Sequence, residues 1–203
     1  MSSSISDGPV PAAAEVRRRR GRRVALLILA LCALPTAAAW LAYFAWPPES
    51  RANYGELIEP RQLRDPELRL LDGSSFRLSQ LRGKWVMLQI DSGTCGGRCR
   101  KKLLYMRQVR LAQGKAMARI ERVWLLEDPV APEGVLVREF EGTQIALADG
   151  NAILAEFPAA RSQTDHIYIV DPLGNLVLRF PAAPDPRRIV KDLARLLRAS
   201  RIG

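Results

Sequence analysis

Lys84-Trp85-Val86-Met87-Leu88-Gln89-Ile90-Asp91-Ser92-Gly93-Thr94-Cys95-Gly96-Gly97-Arg98-Cys99 is the stretch from which the fold can be read. Its first seven residues hold an apolar run, Trp85 to Ile90, interrupted only by Gln89, and read as a buried strand. From Arg100 to Gln113, Leu103, Leu104, Met106, Val109 and Leu111 fall largely on one helical side. Cys95 and Cys99 therefore stand at a strand-to-helix switch, where free amide N–H groups and the helix dipole favour thiolates. Four residues apart on a helical turn, two sulfurs can share one face. They can then close a disulfide or hold one soft metal ion.

Upstream, Val24 to Pro48 carries no charged side chain over 25 residues, enough to cross roughly 30 Å of hydrocarbon. Arg17, Arg18, Arg19, Arg20, Arg22 and Arg23 precede it and nothing comparable follows, so the positive-inside rule keeps the N-terminus cytoplasmic. Trp40, Tyr43, Phe44 and Trp46 cluster at the far end as an interfacial belt would. The order of Arg-rich, apolar and Ala37-Ala38-Ala39 segments also describes a cleaved leader. Cleavage there would leave Trp40 to Trp46 as an exposed apolar terminus, so an uncleaved anchor is expected. A lipoprotein signal is disfavoured, because Leu31 precedes Cys32 where a small residue is needed.

The expected organisation is a basic cytoplasmic tail (1–23), a transmembrane helix (24–48), a polar linker (49–60) and one extracytoplasmic domain (61–203). About 140 residues are enough for a domain with its own core. The formal net charge of +10 divides between the topology signal and a scattered basic surface. Without zinc-finger spacing or a nucleic-acid module, it points to no nucleic-acid partner. A phosphate-binding glycine loop and a Ser/His/Asp constellation are likewise missing. Cys32 reads as a small apolar filler in the membrane. Cys95 and Cys99, on the translocated side, can pair with each other, with a partner protein, or with a metal.

Around the opening stretch, Leu68 to Leu71 and Phe76 to Leu78 form a hairpin signal across Asp72-Gly73-Ser74-Ser75. Ile120 to Leu126 reads as a second core strand and Pro132 to Phe140 as a helix. Gln144 to Leu147 reads as a short strand and Ala152 to Phe157 as a short helix. His166 to Val170 is the third strong strand. Asp171-Pro172-Leu173-Gly174 turns it into Asn175 to Phe180. Asp185-Pro186 opens a closing helix over Arg187 to Arg201. Strand–helix–strand, hairpin and helix give an α/β fold with a four-stranded mixed sheet flanked by helices, the thioredoxin-like arrangement.

Asp72-Gly73 with Leu78-Ser79-Gln80-Leu81-Arg82-Gly83-Lys84-Trp85 resembles the opening of thioredoxin-like and peroxiredoxin-like domains. Thr94-Cys95-Gly96-Gly97-Arg98-Cys99 resembles the CxxxC motif of Sco-type (SenC-like) proteins, copper chaperones of cytochrome c oxidase assembly. Asp165-His166, followed by Tyr168-Ile169-Val170-Asp171-Pro172, is similar to that family's aspartate–histidine element. The loop departs from the family in having Gly96, Gly97 and Arg98 where proline is usual. Only four residues separate His166 from Asp171.

The resemblance implies copper as cargo, with Cys95, Cys99 and His166 as its ligands, and Cys95 and Cys99 also cycling through a disulfide. It further implies a respiratory oxidase subunit with a copper site as partner, and a single-pass anchor in the inner membrane with the domain in the periplasm. Two alternatives stand beside it. One is a thiol–disulfide oxidoreductase that reduces partner cysteines without metal; the other is a redox-inert assembly scaffold. Individually, the cysteines also fit a structural disulfide, and His166 fits a hydrogen-bonded strand-end residue.

Overall fold

The computed structural model describes residues 12–45 and 53–200, and the chain divides into two units between Arg51 and Ala52. In the first unit a single helix, α1 (Ala12–Ala45), contains a 23-residue stretch, Arg20–Ala42, long and apolar enough to cross a membrane. None of that stretch is buried within the protein, as expected of a surface meant for lipid. Trp46 and the Pro47-Pro48 end of the expected span lie outside the described residues. Cys32 is a free thiol on this exposed helix.

The second unit is one sheet with helices on it. In chain order its elements are β1 (Glu56–Gln62), β2 (Leu68–Leu70), β3 (Ser75–Phe76), β4 (Trp85–Asp91) and α2 (Gly97–Ala112). Then follow β5 (Ile120–Leu126), α3 (Gly134–Glu139), β6 (Thr143–Leu147), β7 (Ile167–Val170), β8 (Asn175–Arg179) and α4 (Pro186–Ala199). The strand order is β1-β8-β7-β4-β5-β6-β2-β3. The four strands of the expected mixed sheet sit side by side as β8-β7-β4-β5, and β1 together with the separately expected β6, β2 and β3 extends it to eight members. Residues 56–60, read as linker, form most of β1, which pairs antiparallel with β8. Apart from half-buried Ile58, β1 is exposed along its length, so no alternation marks it in the sequence.

Strand β4 lies at the centre, parallel to β5 and antiparallel to β7. Six of its seven residues are buried, which is why it reads as a continuous apolar run and not as an alternation. Its residues project to two sides. Val86, Leu88 and Ile90 join Val123, Leu125, Tyr168, Val170 and Phe157 on one face. Trp85 and Met87 join Ile167, Ile169 and the apolar residues of α2 and α4 on the other.

The turn between β7 and β8 is held by Asp171, whose side chain accepts from Leu173 N (2.9 Å) and Asn175 N (2.8 Å). Gly174 supplies the positive φ of 93° that this turn requires. Helix α4 starts where Asp185 accepts from Arg187 N (2.8 Å), with Pro186 in the first turn.

Candidate functional site

The cysteine segment springs from the C-terminal end of β4. Asp91 closes the strand, and its Oδ1 accepts from Ser92 N at 3.1 Å. The hydroxyl of Ser92 then accepts from Thr94 N, and Cys95 N donates to Ser92 O at 3.1 Å. This tight turn puts Cys95 at φ +38°, where it is the one non-glycine residue with positive φ among the described residues. A side chain in that conformation costs of order 1 kcal/mol or more and persists only where its surroundings enforce it. Here the surroundings are the hydrogen-bonded turn from Ser92 and a covalent bridge. Cys95 and Cys99 are joined as a disulfide, with their Cα atoms 5.1 Å apart.

Helix α2 begins between the two cysteines, with Gly96 at its N-cap and neither a side-chain cap nor an acidic residue in its first turn. Its leading amides are therefore available to a thiolate. Both cysteines are nevertheless enclosed, at 3% and 2% exposure, in an apolar cluster with Leu103, Trp124, Leu126, Leu136, Phe140 and Ile145. Part of that cover is Leu136 of α3, and the connection between β5 and α3 runs beside the cysteine turn at Gly93. Asp128 Oδ1 accepts from both Gly93 N (3.1 Å) and Val130 N (3.3 Å), fastening that connection to the cysteine turn.

Two polar residues beneath the disulfide are absent from the sequence-based candidates. Gln89 Nε2 points to Cys99 Sγ at 3.6 Å, while its Oε1 is buried without a hydrogen-bond partner. Lys102, one helical turn beyond Cys99, is buried. Its Nζ pairs with Asp91 Oδ2 at 2.9 Å and donates to Thr164 O (2.5 Å) and Ile90 O (3.3 Å). Burial pushes the Lys102 ammonium below the usual lysine range, and the Asp91 carboxylate opposes that shift. The signals that could have found them are a lone glutamine in an apolar strand and a lysine on the apolar side of α2.

His166 ends up at the expected end of the sheet but on the other side of it. Because β7 runs antiparallel to β4, its first residue, Ile167, pairs with Gln89 beside the cysteine turn. Ile167 faces α2, and the extended backbone at His166 turns the imidazole to the opposite face, the one that holds Tyr168. The two rings meet edge-on with centroids 5.9 Å apart. His166 Nδ1 lies 2.7 Å from Phe180 O. A carbonyl only accepts, so Nδ1 is the donor in this contact. The segment before it is tied to α2 by Arg98 Nη1–Asp165 Oδ1 (3.0 Å) and by Lys102–Thr164.

The structure thus brings Cys95 and Cys99 together, and His166 not with them. Two cysteine sulfurs at a helix start would suit a soft cation such as Cu(I) only once the disulfide is reduced to thiolates. A three-ligand set is not assembled: among the described residues, no group of three His, Cys, Asp or Glu side chains could hold a metal ion.

A family model described as transmembrane-like, thioredoxin-like, C-terminal domain matches residues 85–200, more than half of the chain. No curated protein matches the chain. Among solved structures, Arabidopsis thaliana ScoI with copper bound aligns at a TM-score of 0.56 and 16% identity, covering 69% of this chain and 100% of that one. The thioredoxin domain of a thiol-disulfide oxidoreductase from Bacteroides vulgatus aligns at 0.52 and 16% identity, covering 70% and 99%. Peroxidoxin BcpB from Mycobacterium tuberculosis aligns at 0.55 and 18% identity, covering 72% and 99%. At these identities the likeness is one of fold, and the shared fold is thioredoxin-like.

Proposed function

The chain belongs to the transmembrane-like, thioredoxin-like, C-terminal domain family, and from that premise we propose that it is a membrane-tethered thiol–disulfide exchange protein. Its domain works on the periplasmic side of the inner membrane, with the arginine-rich N-terminus in the cytoplasm. The observation that carries the proposal is the Cys95–Cys99 bridge at the start of α2, closed without the imidazole.

In the reduced protein, one cysteine thiolate attacks a partner disulfide. A mixed disulfide forms and one partner thiolate leaves. The second cysteine attacks the mixed disulfide, Cys95–Cys99 closes, and the other partner thiolate is released. Two electrons have passed from the pair to the partner, and an external dithiol resets the pair. The α2 amides stabilise the thiolate. Because both sulfurs are enclosed, exchange requires part of that apolar cover to move aside.

The reduction potential tests this. Equilibration of the full-length protein in detergent with dithiol buffers should give a value between about −270 and −120 mV, the range of exchange proteins. A value below about −300 mV identifies a structural bridge and overturns the proposal.

A second reading, copper handling, is favoured by the CxxxC spacing and by the copper-bound ScoI alignment. In it the reduced Cys95 and Cys99 carry Cu(I) as cargo, with His166 as a third ligand once its ring leaves Phe180. The recipient is a copper-bearing subunit of a respiratory oxidase. His166→Ala separates the two. On the exchange reading, the variant keeps the wild-type potential and loses about 1 kcal/mol of stability with its hydrogen bond. Tight, stoichiometric Cu(I) binding that weakens at least tenfold in the variant would instead establish the copper reading.

A further inference from the structure

Arg98, Lys101, Lys102 and Tyr105 stand at i, i+3, i+4 and i+7 on α2, one helical face rising from the cysteine pair. Opposite them are Thr164 and Asp165, which precede β7, and Ala182, Ala183 and Pro184, which precede α4. These residues line a cavity of about 180 Å³. The small Ala182-Ala183 wall leaves the space open.

The charges in this cleft are unevenly matched. Lys102 is neutralised from behind by Asp91. Arg98 meets Asp165 through one nitrogen, with its side chain 87% exposed. Lys101 extends over the Tyr105 ring, 5.7 Å from its centre. Beyond the cleft itself, the first turns of α2 hold Arg98, Arg100, Lys101 and Lys102 and no acid of their own, at the end where the helix dipole is already positive; Glu133, 3.6 Å from Arg100, compensates one of them. Cations there work against the helix, and an anion seated among them relieves the conflict. The cavity adjoins the cysteine loop because Arg98 belongs to both.

We infer that this cleft receives an acidic side chain of the client, placed a few residues from the cysteine that exchanges with Cys95–Cys99. The inference rests on the exchange reading above and adds a substrate class to it. An acidic side chain suits the cleft better than a lipid surface does, because Lys102 is recessed at 5% exposure, beyond the reach of a broad, flat surface.

The test measures how fast two cysteine peptides reduce the oxidised full-length protein in neutral detergent. One peptide has two glutamates beside its cysteine, the other two glutamines. Each rate is divided by the same peptide's rate with hydroxyethyl disulfide, which removes differences in thiol acidity. At low salt the acidic peptide should be about fivefold to tenfold faster, and the ratio should fall toward one in about 1 M salt, where the Debye length is about 3 Å. Lys101→Gln should lower the low-salt ratio and Lys101→Glu should bring it below one. Equal rates at low salt, or an unchanged ratio in both variants, overturn the inference and leave the exchange reading standing. A ratio near one, with Lys101-dependent binding to phosphatidylglycerol vesicles, assigns the charge to the membrane and also overturns it. No reduction by either peptide overturns both readings.

Discussion

Gly93→Ala is the substitution that most directly tests how the disulfide is enclosed. A Cβ built on Gly93 would lie 1.8 Å from Val130 O and 2.6 Å from its carbonyl carbon. Both obstacles are backbone, so no rotamer change relieves the clash. Even a tight contact demands about 1.5 Å of separation between the cysteine turn and the connection after β5. Overpacking of this kind costs about 1–3 kcal/mol. The same movement stretches the Gly93 N–Asp128 bond, adding about 1 kcal/mol. A total of about 2–4 kcal/mol lowers Tm by about 5–15 °C in a domain of about 150 residues. Gly93 does not have positive φ, so conformational strain does not confuse the result.

The companion is Gly97→Ala in the first turn of α2, where nothing lies within 4 Å of the new methyl. It should be neutral or stabilising by a few tenths of a kcal/mol, up to about 1. Tryptophan fluorescence of the full-length protein in detergent gives Tm, since Trp124 packs beside the disulfide. Alkylation after timed dithiothreitol exposure gives the reduction rate. Gly93→Ala should be reduced about tenfold or more faster than wild type. A Gly93→Ala protein with wild-type Tm and wild-type reduction rate would refute the argument that this contact encloses the sulfurs.

Lys102→Met should destabilise the domain by about 2–4 kcal/mol in chemical denaturation, because it strands the Asp91 carboxylate at 17% exposure. Adding Asp91→Asn to that variant should recover at least half of the loss, and purely additive losses would show that the pair is not coupled. Glu127 gives a pH dependence. Desolvation, reinforced by the Asp91 and Asp128 carboxylates, raises its pKa above the ordinary 4.5. The folded state therefore holds this proton more tightly than the unfolded chain. Stability present at low pH is lost as pH climbs from about 4.5 through the raised value. Glu127→Gln should accordingly gain Tm over wild type across that window and match it at more acidic pH. A difference independent of pH would count against the shift.

How far the sequence could be read depended on how each element is stabilised. Strands β4, β5 and β7 are buried on both faces, so their apolar runs were visible without tertiary information. The thioredoxin-like arrangement, the cysteine pair and the helix that follows it were legible for the same reason. Strand β1 was not, because pairing with β8 defines it while its side chains face solvent. His166 shows the limit on the site. The sequence reads it as the first residue of a strand; in the structure it stands one residue before β7, with its ring against Tyr168. Lys102 and Gln89 were illegible for another reason: polar residues become buried only when partners from other elements, such as Asp91 and Thr164, enclose them.

The outermost strands bear on how such molecules coexist. A chain carrying a lipid-spanning helix meets its own copies at high local density, where unpaired backbone would invite one sheet to extend another. At one margin β3 is only two residues long. At the other, Glu56, Glu59, Pro60 and Arg61 line β1, and its pairing with β8 shifts register between Leu57 and Arg61. Charge, a missing donor and irregular spacing at one border, and brevity at the other, discourage stacking into ribbons. Neighbouring copies can therefore stay separate at their sheet margins.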